Sequence, residues 1–245
     1  TDMYNERQLL CLSKLLSSVD SIQNQNVKEY LLLAVSEALN YNSLMSVYNP
    51  SYNKNTNIFK SNSFDPPSEP IENNVWGGEY GTGTFSAMWY MVCQGVEYAS
   101  NPTERHIVDG ETVETPEFSQ SVGENFSIHQ GDMRNLEVDG EFDAVITDPP
   151  YYDNIIYSEL SDFYYVWLKS ILGQEYDHFK QDSTPRVESI VANPAEGKGE
   201  AEFETELHEG FDKIRAALKD DGVLAFTYHH SDSKSWGGLL ESVCD

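Results

Sequence analysis

A run of apolar and β-branched residues that ends in an acid and two prolines, Asp143-Ala-Val-Ile-Thr-Asp148-Pro149-Pro150-Tyr151-Tyr152, constrains this chain more than any other stretch. Residues 143–147 read as a short interior strand, because only the first of them is polar and charged. The strand must stop at Asp148, since two successive prolines have fixed φ and no amide hydrogen with which to continue a ladder. The loop that follows is stiff, and the carbonyls of Asp148 and Pro149 are available to point into a site. In open α/β sheets, ligands gather at the carboxyl ends of the strands. A plain turn is the competing reading, because Asp-Pro is also turn chemistry.

The motif suits one kind of chemistry. The amino group of adenine or cytosine is a poor nucleophile because its lone pair is delocalised into the ring. Hydrogen bonds from its two hydrogens to the Asp148 carboxylate and the Pro149 carbonyl, with Pro150 stiffening the loop, favour a more tetrahedral nitrogen that can attack an electrophilic methyl group. Tyr151 offers a π-face to a base taken out of its helix. Tyr152, Asn154 and Tyr157 lie nearest the motif and are candidates to line the target pocket. Upstream, Gly131-Asp132-Met133 follows the strand-like residues 126–130, so a second acid stands at a second strand end, and two such ends make a cofactor crevice. Asp132 could accept from the adenine amine of S-adenosylmethionine, with Met133 against the ring; the alternative is a Gly-Asp turn.

The tetrapeptide Asp148-Pro-Pro-Tyr151 resembles the catalytic motif of the amino-group DNA methyltransferases, and Gly131-Asp132 resembles their cofactor-adenine motif. The longer string Thr147-Asp-Pro-Pro-Tyr-Tyr-Asp-Asn-Ile-Ile-Tyr-Ser-Glu-Leu-Ser-Asp-Phe-Tyr-Tyr-Val-Trp-Leu168 resembles one branch, the large adenine-specific DNA methylases that carry a zinc ribbon. Glu188-Ser-Ile-Val-Ala-Asn-Pro194 and Gly222-Val-Leu-Ala-Phe-Thr-Tyr-His-His230 resemble it too. The resemblance implies methylation of a DNA base amine, adenine first, on a Rossmann-like, three-layer α/β core of the kind found in restriction-modification. Cytosine, RNA and protein amides remain open as targets. That family carries, ahead of the catalytic motif, a strand and a glycine-rich Asp-Pro-Phe loop for the methionine part of the cofactor, and this sequence has no such strand-loop. Nor does it have the ribbon, since Cys11, Cys93 and Cys244 form no Cys-x-x-Cys pair. The chain is therefore expected to be a fragment whose cofactor site is completed by another chain or a missing segment.

Charge argues in a different direction. With 41 acidic against 15 basic residues the formal net charge is −26, which repels nucleic acid at ordinary ionic strength. The conflict eases in a cytoplasm molar in salt, where screening shrinks to about 3 Å, and an acidic, lysine-poor surface fits a halophile. The rival reading is a non-catalytic acidic interaction subunit, or a remnant of a defence system, that never meets DNA. Three thiols without framework spacing indicate a reducing compartment. No long apolar run or basic-then-apolar leader occurs, so the expectation is a cytoplasmic protein without a membrane span.

The remaining pattern gives a coarse organisation. Leu9, Leu12, Leu16 and Val19, then Val27, Leu31, Ala34 and Ala38, repeat at helical spacing and predict a helical hairpin within residues 1–48, broken near residues 23–26. Residues 49–84 read as a polar loop ending in Trp76-Gly-Gly-Glu-Tyr-Gly-Thr-Gly-Thr-Phe85, where a cofactor-cradling role competes with a glycine hinge. Residues 85–245 are assigned to the methyltransferase-like part. A helix begins it, strands are expected at 126–130, 143–147 and 223–228, an aromatic helix passes through Phe163 and Trp167, and Phe203, Leu207, Phe211, Ile214 and Leu218 form an apolar stripe. Residues 174–200 form a connector able to close over a base or cofactor. His229 and His230 point to opposite faces of a strand, which argues against a shared metal. Three strands are too few for a full sheet of this class, so the core is expected to be incomplete.

Overall fold

The computed structural model describes residues 3–60, 64–78, 81–115, 120–123, 125–153, 155–230 and 233–244. Along them run α1 (Glu6–Asp20), α2 (Gln25–Leu39), β1 (Val47–Asn49), β2 (Lys54–Thr56), α3 (Phe85–Ser100), β3 (Glu104–Val108), β4 (Glu111–Thr115), β5 (Phe142–Thr147), α4 (Tyr157–Leu172), α5 (Glu200–Ala217), β6 (Leu218–Phe226) and α6 (Ser233–Cys244). The fold is mixed α/β: β1–β2 and β3–β4 are antiparallel pairs and β5–β6 is a parallel one. The chain divides into two compact units, residues 1–127 with 166–180, and residues 128–165 with 181–245. The sequence reading began the α/β part at residue 85, whereas α3 belongs to the first unit, where Met88 packs against Ala34 and Ala38 of α2.

In the first unit asparagines set the ends of the predicted hairpin. The Asn5 carboxamide accepts from Gln8 N at 2.8 Å while the Gln8 side chain accepts from Asn5 N at 2.9 Å, a reciprocal cap on α1. Asn24 caps α2 through Val27 N at 3.1 Å, so the polar break is itself a helix start. Leu12, Leu15 and Val19 of α1 and Leu32, Val35 and Leu39 of α2 are buried. The glycine-dense run is the entry to α3: Thr84 Oγ1 accepts from Ala87 N at 3.3 Å, and Phe85 N donates to Val75 O at 2.8 Å. Gly83, at φ +75°, lies so close to Tyr41 that a Cβ would fall 2.1 Å from it. Two short hairpins, β1–β2 and β3–β4, lie largely where the sequence predicts loop. The second turns at Asp109-Gly110, with φ of 53° and 84°, the dipeptide that best signals a two-residue hairpin turn.

In the second unit, β5 and β6 run in the register Ala144↔Val223, Val145↔Leu224, Ile146↔Ala225 and Thr147↔Phe226. Side chains alternate along a strand. Val145, Leu224 and Phe226 pack against Phe203, Leu207, Phe211 and Ile214 of α5 and Leu239 of α6, so the predicted stripe on α5 is the core of this unit. Ile146 (84%) and Val223 (60%) face solvent on the other side. β6 starts at Leu218, which pairs with Phe142 before the register shifts, and it ends at Phe226, earlier than the predicted strand.

The strand expected at residues 126–130 does not form. Those residues belong to no ladder, and Ile128 is 84% exposed. An apolar alternation favours extended backbone but supplies no partner, and among the described residues β5 and β6 pair only with each other. Among the described residues the expected three-layer core is accordingly two layers, one parallel pair with helices on one face. No helix of the described residues is long and apolar enough to cross a membrane. Phe203 is 1% exposed at the centre of this packing. Phe203→Ala should cost about 3–5 kcal/mol, read as a lower urea midpoint in molar potassium chloride. A loss below about 1 kcal/mol would show that α5 does not carry the core.

Candidate functional site

The register of the parallel pair places the site. Thr147 and Phe226 are ladder partners, and Thr227 N extends the ladder to Thr147 O at 3.3 Å. The residues one step beyond each strand, Asp148 and Thr227, therefore stand side by side. Thr227 Oγ1 donates to Asp148 Oδ1 at 2.5 Å, and the Tyr151 hydroxyl donates to the same oxygen. These two donors, Thr227 first and Tyr151 second, hold the Asp148 carboxyl below its usual range. The bond to Asp148 pushes the Tyr151 phenol up, so it stays a protonated donor. Pro149 is buried and Asp148 exposed, so the loop is anchored by its first proline while the acid stays open.

Aromatic rings continue from this corner. Tyr151 meets Tyr228 edge-to-face with centroids 5.1 Å apart, and Tyr228 meets Trp236 in the same way at 5.0 Å. Trp236 Nε1 donates to His230 O at 3.1 Å, which orients the indole. Sequence reasoning missed Thr227, Tyr228 and Trp236 as site residues. For Thr227 no local signal was available, because it fell inside the strand expected at residues 223–228 and meets Asp148 only once that strand is aligned with residues 143–147.

Tyr152 takes a different place from the one expected. Its φ of 51° lies in the left-handed region, rare for a bulky residue, and reverses the chain directly after the motif. Its ring packs edge-to-face on Phe203 at 5.4 Å, and its carbonyl accepts from Ala192 N at 3.1 Å. It anchors the loop in the core. Tyr157 is half exposed and lines a cleft; Asn154 lies outside the described residues.

That cleft has a volume of about 560 Å³ and brings together Gly131, Asp132, Met133, Pro150 and Tyr157 with hydroxyl side chains of α4 and the 184–190 connector. Its size is that of a small-molecule site. The motif loop enters it through Pro150, and Asp148 is not part of its lining. Asp132 caps the short turn Met133–Asn135 and accepts from Arg134 N at 2.9 Å, from Arg134 Nε at 3.0 Å on both oxygens, and from Arg134 Nη2 at 2.6 Å. Those four contacts fill the acceptor sites of a carboxylate, so a ligand amine must displace Arg134 to reach it. Met133 reaches inward as well: a Cβ on Gly210 of α5 would lie 1.9 Å from its Cε.

Arg134 extends the pair into a network. It donates to Glu188 O at 2.8 Å and meets Glu206 at 3.2 Å, and Glu206 meets Lys198 at 2.6 Å. Lys198 Nζ in turn donates to Val187 O at 3.0 Å and Ser189 O at 2.7 Å. The alternation of charges thus pins the 187–189 backbone that forms one wall of the cleft. The hydrogen bonds from Arg134 hold the Asp132 carboxyl below its usual range. Among the described residues, no group of three His, Cys, Asp or Glu is placed to hold a metal ion.

Comparisons of the chain with protein-family models, with curated proteins and with solved structures returned no match. Arg134→Met should destabilise the second unit by about 3 kcal/mol, because it leaves Asp132 and Glu206 without their shared cation. A depressed carboxyl contributes stability that is present above its unfolded pKa and is lost as the pH falls through its folded one. Urea unfolding of the wild type should therefore weaken more steeply than unfolding of the variant as the pH falls through and below the ordinary carboxylate range. Equal slopes would remove the network as the source of that stability.

Proposed function

We propose that this chain carries the target-amine site of an S-adenosylmethionine-dependent DNA methyltransferase acting on an exocyclic base amine, adenine first. One observation carries the reading. Asp148, at the carboxyl end of a parallel strand, has one oxygen tied by Thr227 and Tyr151 while its Oδ2 meets no donor among the described residues. An amine hydrogen bonded to that oxygen, with its second hydrogen on the Pro149 carbonyl, draws the nitrogen lone pair out of ring conjugation. Such a nitrogen would be placed to attack the methyl carbon of bound S-adenosylmethionine, whose carbon–sulfur bond would break with its electron pair left on sulfur while the nitrogen gave up a proton to water. Tyr151, Tyr228 and Trp236 supply ring surfaces for an extruded base.

S-adenosylmethionine supplies a methyl group on a positively charged sulfur. The cleft suits its adenosine part in size and in its hydroxyl-rich lining, which also includes Gly131, Met133 and Pro150. Asp132 takes the adenine amine only by releasing a bond to Arg134. The edge of β5 that is unpaired among the described residues and the exposed Ile146 support a sheet, and with it a cofactor site, that another chain or a further segment completes. The net charge of −26 supports a halophilic, cytoplasmic setting for an enzyme that must approach DNA.

A second reading, a non-catalytic acidic interaction subunit, is favoured by the absence of Asp148 from the lining of the cleft. Transfer of a labelled methyl group to DNA in molar potassium chloride, with calorimetric titration of S-adenosylmethionine, separates the two. In the methyltransferase reading Asp148→Ala lowers transfer by at least about a hundredfold and leaves cofactor affinity within about twofold. Undiminished transfer by that variant would overturn the assignment, and a wild type that binds neither cofactor nor DNA would favour the interaction subunit.

A further inference from the structure

We infer that Thr227 is a positioning residue for this amine site: its hydroxyl, together with that of Tyr151, holds one oxygen of Asp148 so that the other is presented to an incoming donor. The inference rests on the proposed function and adds a residue outside the motif. The carboxylate torsion of an exposed aspartate is broad, and nothing intrinsic keeps one oxygen outward. Here two hydroxyls converge on Oδ1, from Thr227 at 2.5 Å and from Tyr151, and they lie 3.4 Å from each other. Two donors on one oxygen fix the plane of the carboxylate. The β-branched side chain of Thr227 is stiff at χ1, and its backbone is tied to Thr147 O at 3.3 Å, so the donor is itself held.

The neutrality of the donors matters. A lysine or arginine on Asp148 would fill its acceptor sites, as Arg134 does for Asp132, whereas two hydroxyls leave the carboxylate its charge and a vacant oxygen. The titratable groups facing this corner are also phenols: Tyr151 in the loop, Tyr157 at the start of α4 and Tyr228 just past β6. The charged group that acts on Tyr228 is Asp153, itself 3.4 Å from His230 Nε2.

Thr227→Val keeps the shape and removes the donor, and Thr227→Ser restores it. The first readout needs no turnover: a carbon-13 NMR titration of the Asp148 carboxyl, assigned with Asp148→Asn. In Thr227→Val the carboxyl should titrate at higher pH than in the wild type, and in Thr227→Ser it should return. The second readout is methyl transfer, where kcat should fall about tenfold in the valine variant and recover in the serine one, with the S-adenosylmethionine Kd unchanged. An unmoved Asp148 titration in Thr227→Val overturns the inference, as does a lower kcat that serine fails to rescue. If the titration moves as expected while the wild type transfers no methyl group, the clamp stands and the methyltransferase reading falls.

Discussion

Everything at the candidate site depends on the parallel ladder between β5 and β6. Its register sets Thr147 against Phe226, and the next residue on each strand inherits that alignment. A slip of β6 by one residue would send Leu224 and Phe226 to solvent and carry Thr227 away from Asp148 together. The apolar packing beneath the sheet, through Phe203, Phe211 and Leu239, is thus what holds two polar side chains in register above its end. Stability and site geometry share one cause here.

The two acids singled out by the sequence show how one residue type takes different roles. Asp132 follows a stretch that joins no ladder and Asp148 follows a paired strand, yet both carboxyls are held below their usual range. The cause differs. A guanidinium saturates Asp132 and makes it a structural brace in the wall of the cleft, whereas hydroxyls steady Asp148 without consuming it. The shift alone does not separate a saturated acid from an open one; the chemistry of the donor does.

What was legible in the sequence follows the range of the forces involved. Helices α1, α2, α3 and α5 were readable because their periodicity and caps are local, down to Asn24 in the polar break. The strand through residues 143–147 was readable because prolines end it. Residues 126–130 carry a comparable pattern yet form no strand, since pairing is decided by residues distant in the chain. The β3–β4 hairpin had a local signal in Asp109-Gly110 that the polar composition around it obscured. At the site, Asp148 and Pro149 could be named from the motif, but the pairing of Asp132 with Arg134 is a question of rotamers, and Thr227 enters only when the two strands are aligned.

Met133 belongs at once to the wall of the cleft and, through the notch at Gly210, to the packing of α5. A single flexible thioether is therefore shared between the cleft and the protein interior. Any occupant that rests on its outer face is backed by the same helix that covers the sheet, and unfolding of that helix removes part of the cleft wall. Occupancy and folding of this unit are two readings of one equilibrium, so that a molecule too weakly held to be caught by filtration would still register as added resistance to heat.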